Sequence, residues 1–240
     1  MNWSSILERN AEKYPDKEAV ISLGKRLTYS ELHERSNSLA QGLRDLGLGK
    51  GDIVGVLLYN CCEYIEITFA INQIGAVWLP LNFRLAGEEF QYILKNAGAK
   101  ALITEQEFAP VISSLKSNLS HLKHVLLLDS DCSEDWLDYT DLIERNLGAT
   151  VPHAEVGLED LHRLIYTSGT TAHPKGVMLT YGNLYWKNIG HLLTFGLTSI
   201  DRTLVVGPLY HVGGMDLPGT GTLYAGGSLV ILKSSTLWKF

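Results

Sequence analysis

The chain has 240 residues, 45% hydrophobic and 19% charged, with 20 Lys and Arg against 26 Asp and Glu and a formal net charge of -6. That is a globular composition with enough apolar residues to bury a core, and its acidic balance argues against a protein that grips a nucleic-acid backbone. No apolar run reaches bilayer-spanning length, and the N-terminus lacks a basic stretch followed by an apolar one, so neither a spanning segment nor a signal peptide is expected; peripheral membrane contact stays open. Cys61, Cys62 and Cys132 are odd in number and lack a CxxC spacing, which fits reduced thiols in a cytoplasmic protein.

Taken in chain order, Ile6, Leu7 and Ala11 recur at helical spacing, and Pro15 closes that segment. Glu18 to Leu23 reads as a strand, Gly24-Lys25 as a hairpin turn, and Arg26 to Tyr29 as the returning strand. Ser30 is placed to cap a helix that carries Leu32, Ser36, Leu39, Leu43 and Leu46 on one face and closes at Gly47 and Gly49. A strand–helix alternation follows: strand Asp52 to Leu58, helix Cys61 to Ile74, strand Ala76 to Leu81, helix Gly87 to Asn96, strand Lys100 to Thr104, a weaker helix Pro110 to Ser117, and strand His124 to Leu128. Near-continuous apolar strands separated by helices predict an α/β fold of mostly parallel sheets with flanking helices. Asp129 to Pro152 is polar and reads as an irregular surface connection. From Asp160 a strand, a glycine-containing loop, a helix from Tyr181 and further strands follow. No strong linker divides the chain.

The segment that carries chemistry is LIYTSGTTAHPKGVML, Leu164 to Leu179. A strand runs into Thr167, Ser168, Gly169, Thr170 and Thr171, and Lys175 follows Pro174. Hydroxyls, exposed backbone N–H groups and one lysine are what a triphosphate needs, and glycine lets the backbone approach phosphate oxygens closely. The pattern is not the common NTPase loop, in which Gly-Lys-Ser/Thr ends the motif. Here Lys175 precedes Gly176 and no hydroxyl residue follows it. A plain Ser/Thr-rich surface turn would not call for this run together with Pro-Lys-Gly.

YTSGTTAHPKGV resembles the phosphate-loop signature of the acyl-CoA synthetase and adenylate-forming (AMP-binding) superfamily, usually YTSGTTGxPKGV. The resemblance covers almost the whole chain, and NFRL together with PLYHVGG is most similar to bacterial fatty acyl-CoA synthetases. It implies that Thr167, Ser168, Gly169, Thr170, Thr171 and Lys175 embrace the phosphates of ATP. It further implies that His211 is a catalytic-site residue beside the acyl pocket and that Tyr210, Gly213 and Gly214 help to line it. Tyr185 and Trp186 are expected as core or interface aromatics. The implied reaction joins a carboxylic, fatty acid to CoA through an acyl-adenylate, with ATP, Mg²⁺ and CoA.

Two departures matter. Ala172 stands at the usual glycine, and strain of about 1 kcal/mol arises there if the position needs φ > 0. The resemblance also implies that residues 1–240 correspond to the front portion of the adenylation domain. The family's Mg²⁺ ligand, ribose-binding aspartate, adenine pocket and small C-terminal domain have no counterpart here, and the final SSTLWKF does not follow the family's pattern. The expectation is therefore a front part inactive by itself, open to self-association. The alternative is a non-catalytic remnant or interaction module that keeps the nucleotide-phosphate loop.

Overall fold

The computed structural model describes residues 2–22, 24–128, 136–167 and 173–233. Helix α1 (Ser4–Lys13) leads into the hairpin β1 (Glu18–Ser22) and β2 (Lys25–Thr28), then helix α2 (Tyr29–Asp45). Next come β3 (Ile53–Leu57), α3 (Cys62–Gln73), β4 (Val77–Pro80), α4 (Gly87–Ala97), β5 (Ala101–Thr104), α5 (Ala109–Leu115) and β6 (His124–Leu127). The later elements are β7 (Leu137–Asp138), α6 (Tyr139–Glu144), β8 (Leu161–Thr167), β9 (Lys175–Thr180), α7 (Tyr181–Phe195), β10 (Arg202–Val205), α8 (Val212–Met215), α9 (Gly221–Ala225) and β11 (Ser228–Ile231).

The strands form a seven-stranded sheet, in the order β7-β6-β5-β3-β4-β8-β9, and a four-stranded sheet, β10-β11-β1-β2. All pairings in the large sheet are parallel except β8 with β9. The continuous apolar strands follow from burial on both faces, with side chains alternating between two cores. Val54, Val56, Trp78, Ala101, Ile103 and Leu126 face the core built with α1, α2 and α3. Leu57, Val77, Leu79, Leu102, Val125 and Leu127 face the opposite core, under α4 and α5.

The first core also receives Val20 from β1 and Leu229 and Ile231 from β11, so it fills the space between the two sheets. Parallel pairing of β1 with β11 brings the two ends of the described chain into one sheet. The Tyr29 hydroxyl donates to the Gly227 carbonyl at 2.6 Å, reinforcing that closure.

Three local expectations change. The cap of α2 is Thr28, not Ser30: Glu31 N–H donates to its hydroxyl, and the Glu31 carboxylate accepts from the Thr28 N–H at 2.7 Å. Residues 136–144 are not irregular, because Trp136, Tyr139 and Ile143 are buried and the short α6 packs on α2. Trp186 is 65% exposed, so of the two places expected for it the core is excluded. Cys61 and Cys62 are unpaired thiols, and Cys132 lies outside the described residues. Among the described residues, no helix is long and apolar enough to cross a membrane.

Candidate active site

The phosphate-loop sequence is carried by a hairpin rather than by a strand-to-helix turn. β8 and β9 pair antiparallel, with Thr167 opposite Lys175 at the open end. Ser168, Gly169, Thr170, Thr171 and Ala172 lie outside the described residues, but both flanks of the loop are fixed. The Tyr166 hydroxyl donates to Asn96 Oδ1 at 2.5 Å, and the His173 ring stacks on Tyr92 at 4.6 Å between centroids. Both anchors sit on α4. Gly176 lies under the Tyr166 ring, where an added Cβ would come within 3.1 Å of the ring, so the glycine after Lys175 makes room for this packing. Lys175 itself is exposed, and its ammonium makes no hydrogen bond or ion pair with any described residue.

The hairpin end opens onto a cleft of about 280 Å³. Its walls are Pro80 at the end of β4 and Asn82 just beyond it, Glu89 and Ile93 of α4, Ile165 to Thr167 of β8, Pro174, and Tyr210 to Val212. The cleft therefore lies beyond the carboxyl ends of parallel strands β4 and β8, the usual place for a ligand in an open α/β sheet.

The far wall is set by the turn before α8. The His211 backbone caps this short helix, and its Nδ1 accepts the Gly213 N–H at 3.1 Å. A ring nitrogen that accepts carries no proton, so the neutral ring holds its proton on Nε2 and presents a donor. Tyr210 packs edge-on to Phe83 with centroids 5.1 Å apart, and burial raises its phenol above the ordinary value. Gly213 and Gly214 do not line the cleft. Gly214 is buried beneath it, where an added Cβ would sit 2.2 Å from the Pro208 carbonyl oxygen, so its role is close backbone packing that seats His211.

Asn60, just after β3, positions this turn, and nothing in its sequence surroundings singles it out. Its amide donates to the Gly207 carbonyl (2.9 Å) and the Leu232 carbonyl (3.1 Å), and its oxygen accepts the Leu209 N–H (2.8 Å).

Behind α8 lies a buried charge cluster. Arg163 Nη2 bonds Asp216 Oδ2 at 2.6 Å, Lys187 Nζ bonds Asp216 Oδ1 at 3.1 Å, and the Arg163 guanidinium lies over the Trp78 ring at 4.9 Å. Burial pushes the Asp216 carboxyl up, but Arg163 and Lys187 outweigh it and hold it below the usual range. Burial lowers Lys187 to about 8 despite Asp216. Burial, with Arg163 beside it, depresses His162 well below the ordinary value. Among the described residues, no group of three or more His, Cys, Asp or Glu could hold a metal ion.

Comparison with known proteins agrees with this geometry. Residues 7–239 match the AMP-binding enzyme family. A feruloyl-CoA synthase of an Amycolatopsis species is 38% identical over 93% of this chain and 42% of its own length. A long-chain-fatty-acid–CoA ligase of Thermus thermophilus is 33% identical over 93% of this chain and 42% of its own. The crystal structure of the anthranilate CoA ligase AuaEII in complex with anthranoyl-AMP superposes with a TM-score of 0.91 at 30% identity, over 97% of this chain and 45% of that one. The chain thus spans less than half the length of these relatives. With the fold, the loop signature and the matched span in agreement, the chain belongs to the AMP-binding enzyme family of acyl- and aryl-CoA ligases.

Proposed function

We propose that this chain carries the phosphate-binding and acid-positioning surfaces of an ATP-dependent acid–CoA ligase. In that reaction a carboxylate oxygen attacks the α-phosphorus of ATP and pyrophosphate leaves; the CoA thiol then attacks the acyl carbon and AMP leaves. The observation that carries the reading is the placement of Thr167 and Lys175, paired across the hairpin at the mouth of the cleft that ends at His211. The Lys175 ammonium, free of partners among the described residues, serves the β- and γ-phosphates with the backbone and hydroxyls of 167–171. Positioning and charge stabilisation of this kind supply most of the rate in phosphoryl-type transfers. His211 donates from Nε2 to the acid's carboxylate and holds it in line; it does not act as a base, because its Nδ1 is held by the Gly213 N–H. Mg²⁺, when bound, offsets the charge that builds on the leaving pyrophosphate, but the described residues supply no ligand cluster for it. No described residue is assigned to CoA. The acid has an apolar body, as a fatty acid would, because Ile93, Ile165 and Val212 wall the cleft.

The test is calorimetry of the chain with Mg-ATP. Wild type binds, and Lys175→Ala weakens binding at least about tenfold by removing a charge-assisted contact. Because Lys175 is exposed, the variant keeps its thermal midpoint. Equal affinity in the two proteins removes the assignment.

A further inference from the structure

Val212 belongs to two cavities. One is the cleft that ends at His211; the other, of about 300 Å³, lies behind it between β8, α7 and the turn after α8. The two spaces adjoin across the Val212 side chain, and an acid whose carboxylate rests by His211 and whose chain passes Val212 enters the second one. Most of its wall is apolar, with Leu179, Leu184 and Leu217. The exception is the cluster around Asp216.

That cluster is unbalanced. Two cations, Arg163 and Lys187, share the single carboxylate of Asp216, while the neighbouring histidines, His162 and His191, are both pushed toward neutrality, chiefly by burial. One positive charge is left without a counter-charge among the described groups facing the cavity. Buried charges are ordinarily paired, because desolvation is costly otherwise. Behind that wall, closed off from the cavity itself, lie buried nitrogens with no hydrogen-bond partner: Arg163 Nε, His162 Nδ1 and His191 Nδ1. A purely structural tie between β8, α7 and the turn after α8 needs one cation for Asp216. It does not account for the surplus positive charge.

We propose that this cavity receives a second carboxylate, carried at the far end of the acid that the cleft holds, so that the substrate is a dicarboxylic acid with an apolar middle. This rests on the ligase reading above and narrows its substrate class. The distal carboxylate accepts from Lys187 Nζ, neutralises the surplus charge, and lets the apolar chain lie along Val212 and the leucines.

The experiment is calorimetric titration of the whole chain, in Mg-ATP, with succinate, adipate and suberate against butyrate, hexanoate and octanoate. At the length that spans the cavities the diacid binds at least about tenfold tighter than its monoacid partner. Lys187→Met removes that preference and Lys187→Arg retains it. At pH 8 diacid binding takes up protons, measured across buffers of different ionisation enthalpy, because the added anion raises a lysine that sits near 8. Monoacids that bind as tightly as diacids at every length, or a preference that survives Lys187→Met, overturn the proposal and leave the ligase reading in place. No binding of any acid, together with ATP binding indifferent to Lys175→Ala, overturns both.

Discussion

Asn60→Ala tests how the His211 turn is held. The Asn60 side chain is 2% exposed, and its three contacts all reach the backbone of residues distant in sequence: Gly207, Leu209 and Leu232. Removing the amide leaves two carbonyls and one N–H without partners. Each neutral hydrogen bond is worth about 1 kcal/mol net, and an unmet buried group costs about 1–3 kcal/mol. A loss of about 3 kcal/mol follows once water entry at the cleft side is allowed for. With a urea dependence of about 3 kcal/mol per molar, the midpoint falls by about 1 M. Asn60→Asp sharpens the test. The carboxylate keeps the acceptor for Leu209 but faces two carbonyls, so its folded-state pKa is raised above the ordinary value of about 3.9. Its full stability is present below pH ~3.9 and is lost as pH rises through the raised value. A midpoint shift under about 0.3 M for the alanine variant, with an aspartate variant indifferent to pH, would refute the account of what seats His211.

The remaining predictions concern single groups. His211→Asn keeps a side-chain acceptor for the Gly213 N–H but loses the Nε2 donor, so stability stays within about 0.5 kcal/mol while acid affinity drops roughly tenfold by calorimetry. Glu66 is fully buried, with Arg35 Nε and Nη2 at 2.6 and 2.9 Å and the Tyr139 hydroxyl donating to it. Glu66→Gln strands the guanidinium and costs about 3 kcal/mol in urea unfolding. Lys187, held near 8 in the fold against about 10.4 when unfolded, binds fewer protons folded than unfolded between those values. Stability from this group therefore rises as pH climbs from about 8 to about 10, and the gap between wild type and Lys187→Met shifts toward wild type over that window, by at most about 3 kcal/mol.

Much of the architecture was legible because burial on two faces leaves a plain trace. Strands such as IVGVL, VWLP and ALIT carry apolar side chains in both directions, and amphipathic helices between them force parallel crossovers. Local signals misled where a competing residue offered the same chemistry. Thr28 and Ser30 are both able caps, and only Glu31, three residues beyond Thr28, decides between them. The 136–144 stretch reads as polar because its buried residues, Trp136, Tyr139 and Ile143, are spaced out among acidic ones. At the site, the phosphate loop announced itself by composition. Its anchors did not, since Tyr92 and Asn96 look like ordinary helix-surface residues until His173 and Tyr166 meet them.

The same logic explains why Asn60, Arg163 and Asp216 escaped a reading by motif. Each works across a gap that one-dimensional spacing does not encode. Asn60 follows a strand of the large sheet yet binds the carbonyl of Leu232, which follows the last strand of the small one. Arg163 on β8 meets Asp216 after α8, fifty-three positions later. The Asn60 link joins the two sheets, and the turn it seats forms the far wall of the cleft that ends at His211. The position of the His211 turn is thus a property of how the two sheets meet. A change that leaves each sheet intact but loosens their contact should therefore reduce acid affinity before it reduces secondary structure. The phosphate hairpin, built within one sheet and tied to α4, should keep its grip longer.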